Sequence, residues 1–156
     1  MNTPKVIVIG VGNEYRRDDA LGPTVVDHLR RMELIGIEYR ECDGEPTRLI
    51  ELWDGADVAV VVDAVRADPA RPGRVHRLSA NHPAATAAAA TSSHGVGLGD
   101  AVALARALDR MPPRLLLYAV EVADTEFGLG LSPDVATAAR LVADEIALLL
   151  TTDASG

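Results

Sequence analysis

Two stretches of this chain run through hydrophobic residues without polar alternation. One is Val58-Ala59-Val60-Val61-Val62-Asp63-Ala64 and the other spans Arg114 to Val120. A strand of that kind is covered on both faces, which is the position of a central strand in an α/β sheet. Shorter apolar runs at Lys5–Ile9 and Ile35–Cys42 read as two further strands, and Val75–Leu78 as a short edge strand with His76 turned outward. Between the strands the apolar period lengthens to that of helices. Ala20–Met32 places Leu21, Val25, Val26 and Leu29 on one face, and Thr47–Trp53 packs Leu49, Ile50, Leu52 and Trp53. Ala101–Leu108 offers Val102, Leu104, Ala105 and Leu108 to a core. A last helix opens with Ser132 as N-cap and Pro133 at its first position, runs to about Leu150, and packs Val135, Ala138, Leu141, Val142, Ile146 and Leu149. Asn81–Thr91 is Ala-rich and reads as a weak helix or a mobile loop.

Strands that alternate with helices predict an α/β fold. The expected architecture is a single-domain, twisted, mainly parallel five-stranded sheet with helices on both faces. No repeat or linker divides residues 1–156, and residues 151–156 are expected to be a frayed tail.

Composition narrows the function classes. Aromatics make up only 3% of the chain, so the core must be built from Val, Leu, Ile and Ala. The formal net charge of -8 argues against a nucleic-acid footprint and against an anionic membrane surface. One cysteine, Cys42, excludes a disulfide within the chain and fits a cytoplasmic setting. It reads as a small hydrophobe near a strand end. The apolar segment after the N-terminus is too short for a secretory signal, and no run reaches membrane-spanning length. The expectation is a cytoplasmic monomer.

Three places carry candidate chemistry. Asp63 ends the first of the two buried strands, and that edge of an open α/β sheet is where ligands collect. Asp18-Asp19 follows the first strand and its Gly10-Val11-Gly12-Asn13 turn. A Gly-x-Gly after a first strand suggests dinucleotide binding. Here, however, the third glycine position is Tyr15, and two carboxylates stand where a helix N-terminus would receive a pyrophosphate. One of the pair is accounted for as an N-cap or a dipole partner of the helix that follows, which leaves the other free. Third, Ser93-His94-Gly95-Val96-Gly97 puts a histidine in a Gly-rich turn ahead of a helix, either capping backbone groups or aimed at a ligand. Asp19, Asp63 and His94 together would offer oxygen and imidazole donors suited to a divalent metal such as nickel or zinc, with coordination positions left open. His28, alone on a helix, and His82, in a bland stretch, are weaker candidates.

Gly10-Val11-Gly12-Asn13 with Asp18-Asp19-Ala20-Leu21-Gly22-Pro23, then Val62-Asp63-Ala64, then Ser93-His94-Gly95-Val96-Gly97-Leu98 resemble, in order, the three blocks of the hydrogenase maturation proteases. The resemblance covers nearly the whole chain. It implies an endopeptidase that trims the C-terminus of a nickel–iron hydrogenase large-subunit precursor already loaded with nickel. It further implies that Asp19, Asp63 and His94 are the metal-recognising and catalytic residues. The nickel would be carried by the substrate, with other divalent metals able to substitute. The chain departs from the family pattern in two places. The first-block acid is Asp where some members carry Glu, and the turn after the second strand reads Asp43-Gly44-Glu45-Pro46 where many carry Asp-Gly-Gly-Thr.

Two mechanisms fit. The substrate's metal polarises the scissile carbonyl or a water, or Asp19 and Asp63 work on a water as a carboxylate pair while the metal only docks. A non-enzymatic nickel-dependent docking or chaperone module for hydrogenase assembly would use the same three residues. A nucleotide-binding module built on Gly10 and Gly12 is a further alternative, and the last is that Asp19, Asp63 and His94 are three unrelated caps.

Overall fold

Val58–Val65 forms the third of five strands, β3, and every one of its side chains after Val58 is buried. The computed structural model describes residues 3–80 and 98–154. Among these, β1 is Val6–Val11, β2 Ile37–Cys42, β4 Val75–Ser79 and β5 Arg114–Glu121. The helices are α1 (Leu21–Arg31), α2 (Pro46–Trp53), α3 (Leu98–Ala107) and α4 (Pro133–Ala154), and a 3-10 turn over Arg17–Ala20 leads into α1. The strand order is β2-β1-β3-β5-β4. All neighbours are parallel except β4, which runs antiparallel along β5 with Leu78 opposite Leu117. The mainly parallel five-stranded sheet expected from the sequence is therefore the observed one.

The period-2 alternation of the strands divides the apolar residues between two cores. Val8, Val60, Val62, Tyr118 and Val120 face α1 and α4, where Val25, Leu29, Val142 and Ile146 complete the packing. Ile7, Ile9, Ala59, Val61, Leu115 and Leu117 face α2 and α3, against Leu49, Trp53, Val102 and Ala105. Trp53 is fully buried and still satisfies its indole N–H, which donates to the Arg110 carbonyl at 3.1 Å. Asp63, two residues beyond Val61, lies by the same alternation on the α2/α3 face.

Some expectations about packing are corrected. Leu141, Leu104 and Leu108 are exposed rather than packed. In these Ala-rich helices the small residues Ala138, Ala139, Ala101 and Ala105 make the close contacts, so the larger side chains are left outside. Ile35 is exposed in the turn before β2 instead of opening that strand. His76 is not simply turned to solvent: its ring nitrogen lies 2.8 Å from the buried carboxylate of Glu121. That carboxylate also accepts the Arg71 N–H at 3.0 Å, and this bond first, with the His76 contact, holds Glu121 below the usual carboxylate range against the opposing effect of burial. No helix among the described residues is long and apolar enough to cross a membrane.

Candidate functional site

The strand order reverses between β1 and β3, because the chain leaves β1 toward β2 on one side and returns to β3 on the other. At such a switch point the loops diverge and a crevice opens beyond the carboxyl ends of the strands. Asp63 sits there near the end of β3, and Asp19 sits in the 3-10 turn that arches over the end of β1.

Glycines bring that turn down onto the sheet. A Cβ on Gly12, whose φ is +145°, would stand 1.9 Å from the Asp19 carbonyl oxygen. A Cβ on Gly10 would stand 2.5 Å from the Gly22 carbonyl oxygen, and one on Gly22 would meet the Val11 and Val62 backbones at 2.4 and 2.7 Å. No side chain fits at these crossings. The Gly-x-Gly pattern is thus explained by close approach of the chain to itself, with no need of a pyrophosphate.

The adjacent aspartates part company. Asp18 is fully buried and turns toward the β5–α4 connection. It accepts the backbone N–H groups of Ala123 and Asp124, both at 3.0 Å, and of Ser132 at 2.7 Å, together with the Ser132 hydroxyl. Burial acts to raise its pKa, but the Ser132 hydroxyl and the three N–H groups outweigh it and hold the carboxyl below its usual range. Neither aspartate caps α1: the N-cap position is Ala20, with no side-chain hydrogen bond. The capping role assigned from sequence to the aspartates is replaced by a long-range anchor, while Ser132 stands just ahead of α4, as expected, its carbonyl accepting the Ala136 N–H and its hydroxyl donating to Asp18.

Asp19 faces the other way and is partly buried. Its Oδ2 accepts the Asn13 N–H at 2.8 Å. Its charge reaches Asp63, which is only 3% exposed. Burial first, and the nearby Asp19 carboxylate second, push the Asp63 pKa up to about 8, against the opposing hydrogen bond from the Ala64 N–H. The structure therefore brings together two of the three residues singled out from sequence. His94 lies outside the described residues, as do His82 and the Asn81–Thr91 stretch. Among the described residues no three His, Cys, Asp or Glu side chains are grouped to hold a metal ion.

Around the two carboxylates, Cys42 ends β2 on the α2/α3 side, and its thiol pKa is raised mainly by burial. That fits the inert reading made from sequence. The Asp43-Gly44-Glu45-Pro46 turn has a local reason for its departure from the family pattern. Glu45 caps α2, accepting the Thr47 and Arg48 N–H groups at 3.1 and 2.9 Å, and Pro46 occupies the first helical turn. His28 is partly exposed on the far side of α1, beside Arg31 and Asp144, away from the switch point.

Beyond the end of β3 a cleft of about 570 Å³ opens between Arg66, Ala67 and Ala70 on one wall and Val122–Glu126 on the other. The Arg66 guanidinium donates to the Thr125 hydroxyl across it. Sequence reasoning missed this cleft because its walls are contributed by two loops far apart in the chain. The only signal was that both loops leave the carboxyl ends of neighbouring buried strands.

Two neighbouring carboxylates, one with its pKa pushed up to about 8, can accept a cation or share a proton with a water. The similarity of the chain to known proteins is consistent with that arrangement. It is 31% identical over 136 residues to the hydrogenase expression/formation protein HupD of Thiocapsa roseopersicina, covering 85% of this chain and 61% of that protein's length. It is 28% identical to the hydrogenase 2 maturation protease of Escherichia coli strain K12, covering 84% of this chain and 81% of that one. The fold superimposes on the hydrogenase maturating endopeptidase HybD from E. coli with a TM-score of 0.78 at 22% identity, over 96% of this chain and 93% of the other. A family model described as hydrogenase maturation protease matches residues 44–148, well over half of the sequence and including Asp63. On these grounds the chain belongs to the hydrogenase maturation protease family.

Proposed function

We propose that this protein is an endopeptidase that removes the C-terminal extension of a nickel-loaded nickel–iron hydrogenase large-subunit precursor. In this reading the nickel arrives with the substrate and is recognised by Asp19, Asp63 and His94. The observation that carries it is the meeting of Asp19 and Asp63 at the switch point of the sheet, with Asp63 pushed up to about 8. A divalent cation brought to the pair offsets the repulsion between the carboxylates, so its binding favours the ionised form and releases a proton. Unloaded precursor offers no such cation, which makes maturation state the basis of selectivity. Nickel then polarises the scissile carbonyl or the attacking water.

The raised pKa of Asp63 favours a second mechanism within the same function. A protonated Asp63 beside a second carboxyl group has the division of labour of a carboxylate pair, one group placed to donate a proton and the other to work on water. In that version the substrate's nickel docks the precursor and the carboxylates carry out hydrolysis.

The test is intact-mass analysis of the nickel-loaded precursor after incubation with the protein or with its Asp63→Asn variant. A discrete C-terminal loss with the parent protein alone supports the proposal. Binding of the loaded precursor without any change of mass would replace it with the docking or chaperone module, which uses the same three residues without cleavage.

A further inference from the structure

Large apolar side chains gathered on a rigid, exposed loop mark a surface that another molecule covers. Tyr15, Phe127 and Leu129 are 62%, 80% and 75% exposed. They stand on two segments that hydrogen bond to each other: the Gly128 N–H donates to the Tyr15 carbonyl at 2.9 Å and the Arg17 N–H to the Gly128 carbonyl at 3.1 Å. Arg16 lies over the Phe127 ring, 5.2 Å from its centroid, and its Nε–H donates to the Thr125 carbonyl at 3.2 Å. Arg17 pairs with Asp124 at 3.5 Å. The ridge is thus held in place before any partner arrives, which lowers the ordering cost of binding. Aromatic side chains and arginine are also the residues enriched at the centres of protein interfaces.

The ridge is continuous with the carboxylate site. The Tyr15 N–H donates to Asn13 Oδ1 at 2.9 Å, and the Asn13 N–H donates to Asp19 Oδ2 at 2.8 Å. A macromolecule engaged at Asp19 therefore meets Tyr15 and Phe127 next. On the exposed ridge itself Arg16, Arg17 and Arg66 stand against Glu14, Asp124 and Glu126, while the buried Asp18 and the adjoining Asp19 add two further carboxylates, in a chain that carries -8 as a whole. An apolar, charge-balanced surface complements another of the same kind on a protein, and lacks the basic excess that a nucleic acid requires.

We infer that Tyr15, Phe127 and Leu129 form a docking ridge for the folded body of the protein substrate, fitting an apolar, charge-balanced patch of the large-subunit precursor beside its C-terminal extension. The inference rests on the proteolytic reading for the identity of that partner. The ridge then adds affinity beside the nickel contact and takes no part in the bond cleavage.

The experiment measures KM and saturating rate for cleavage of nickel-loaded precursor, and Kd for the same precursor by biolayer interferometry. Phe127→Ser/Leu129→Ser raises KM and Kd by roughly tenfold or more and leaves the saturating rate unchanged. Leu141→Ser/Leu148→Ser on α4, at positions 61% and 69% exposed, serves as the control and changes neither. Circular dichroism melts check that both variants fold. Unchanged KM and Kd in the ridge variant, or an equal loss in the α4 variant, would overturn the inference. If the parent binds precursor without cutting it, the proteolytic reading falls while the Kd comparison still decides the ridge. No binding by the parent overturns both.

Discussion

Asp18 and Asp63 are both carboxylates closed off from solvent, at 0% and 3% exposure, yet their acidities move in opposite directions. Asp18 is surrounded by donors: three backbone N–H groups and a hydroxyl from the β5–α4 connection. Asp63 is placed near a second carboxylate, with the Ala64 N–H opposing the rise in its pKa. Burial acts to raise both pKa values and is the first cause of the rise at Asp63. What differs is the balance around each: at Asp18 four donors outweigh burial, whereas at Asp63 burial and the Asp19 carboxylate outweigh the Ala64 N–H.

The comparison can be broken most forcefully at Asp63. Asp63→Asn is expected to lower precursor cleavage about 10³-fold, the scale of losing an acid–base or charge-binding group, as read by mass-resolved turnover. A loss of less than tenfold would remove Asp63 from the chemistry and leave it as an odd structural acid.

The same substitution should stabilise the free protein. The folded-state pKa of Asp63 is raised from 3.8 to about 8, so the unfolded chain loses this proton first as pH rises. Stability is therefore lost progressively between about pH 4 and pH 8 and levels off above. Asp63→Asn removes that loss. The gain is expected to be nil near pH 4 and on the order of 3–5 kcal/mol at pH 9, seen as a growing separation of urea midpoints. A separation independent of pH would contradict the raised pKa.

Asp18 should behave in the opposite sense. Asp18→Ala leaves the partly buried N–H groups of Ala123, Asp124 and Ser132 without their acceptor, at a cost of about 2–3 kcal/mol. Its folded pKa is lowered, so its contribution is complete above the unfolded value and is lost as pH falls through the folded one. Chemical denaturation at pH 7 and pH 3 measures both points. Loss of cleavage in this variant without loss of stability would make Asp18 part of the site.

Glu45 supplies the mild limit of the series. It also accepts two backbone N–H groups, but at an exposed helix start. Glu45→Ala should cost only about 1 kcal/mol, because water replaces the cap. A cost as large as that for Asp18→Ala would show that burial does not set the penalty.

Much of this was readable in the chain and some was not, for reasons that can be traced to particular residues. The runs at 58–64 and 114–120 announced doubly covered strands because no polar residue interrupts them, and both are central in the sheet. Asp63 was visible as a carboxylate closing such a run. The Asp18-Asp19 pair was visible as one acid too many for a cap, but which of the two was free could not be read. The partners of Asp18 lie 105 to 114 residues away along the chain, and no local pattern encodes them. The exposed leucines at 104, 108 and 141 were misjudged because alanines fill the contact faces of their helices.

By itself the sequence determined the elements, their α/β alternation and the pair of loops that carry acids, because periodicity and glycine placement act over a few residues. Only the tertiary structure decided which acid of the Asp18-Asp19 pair became a long-range anchor and which turned toward Asp63. That difference depends on where the β5–α4 connection delivers its N–H groups, and on the reversal of strand order that brings the Asp19 charge near Asp63.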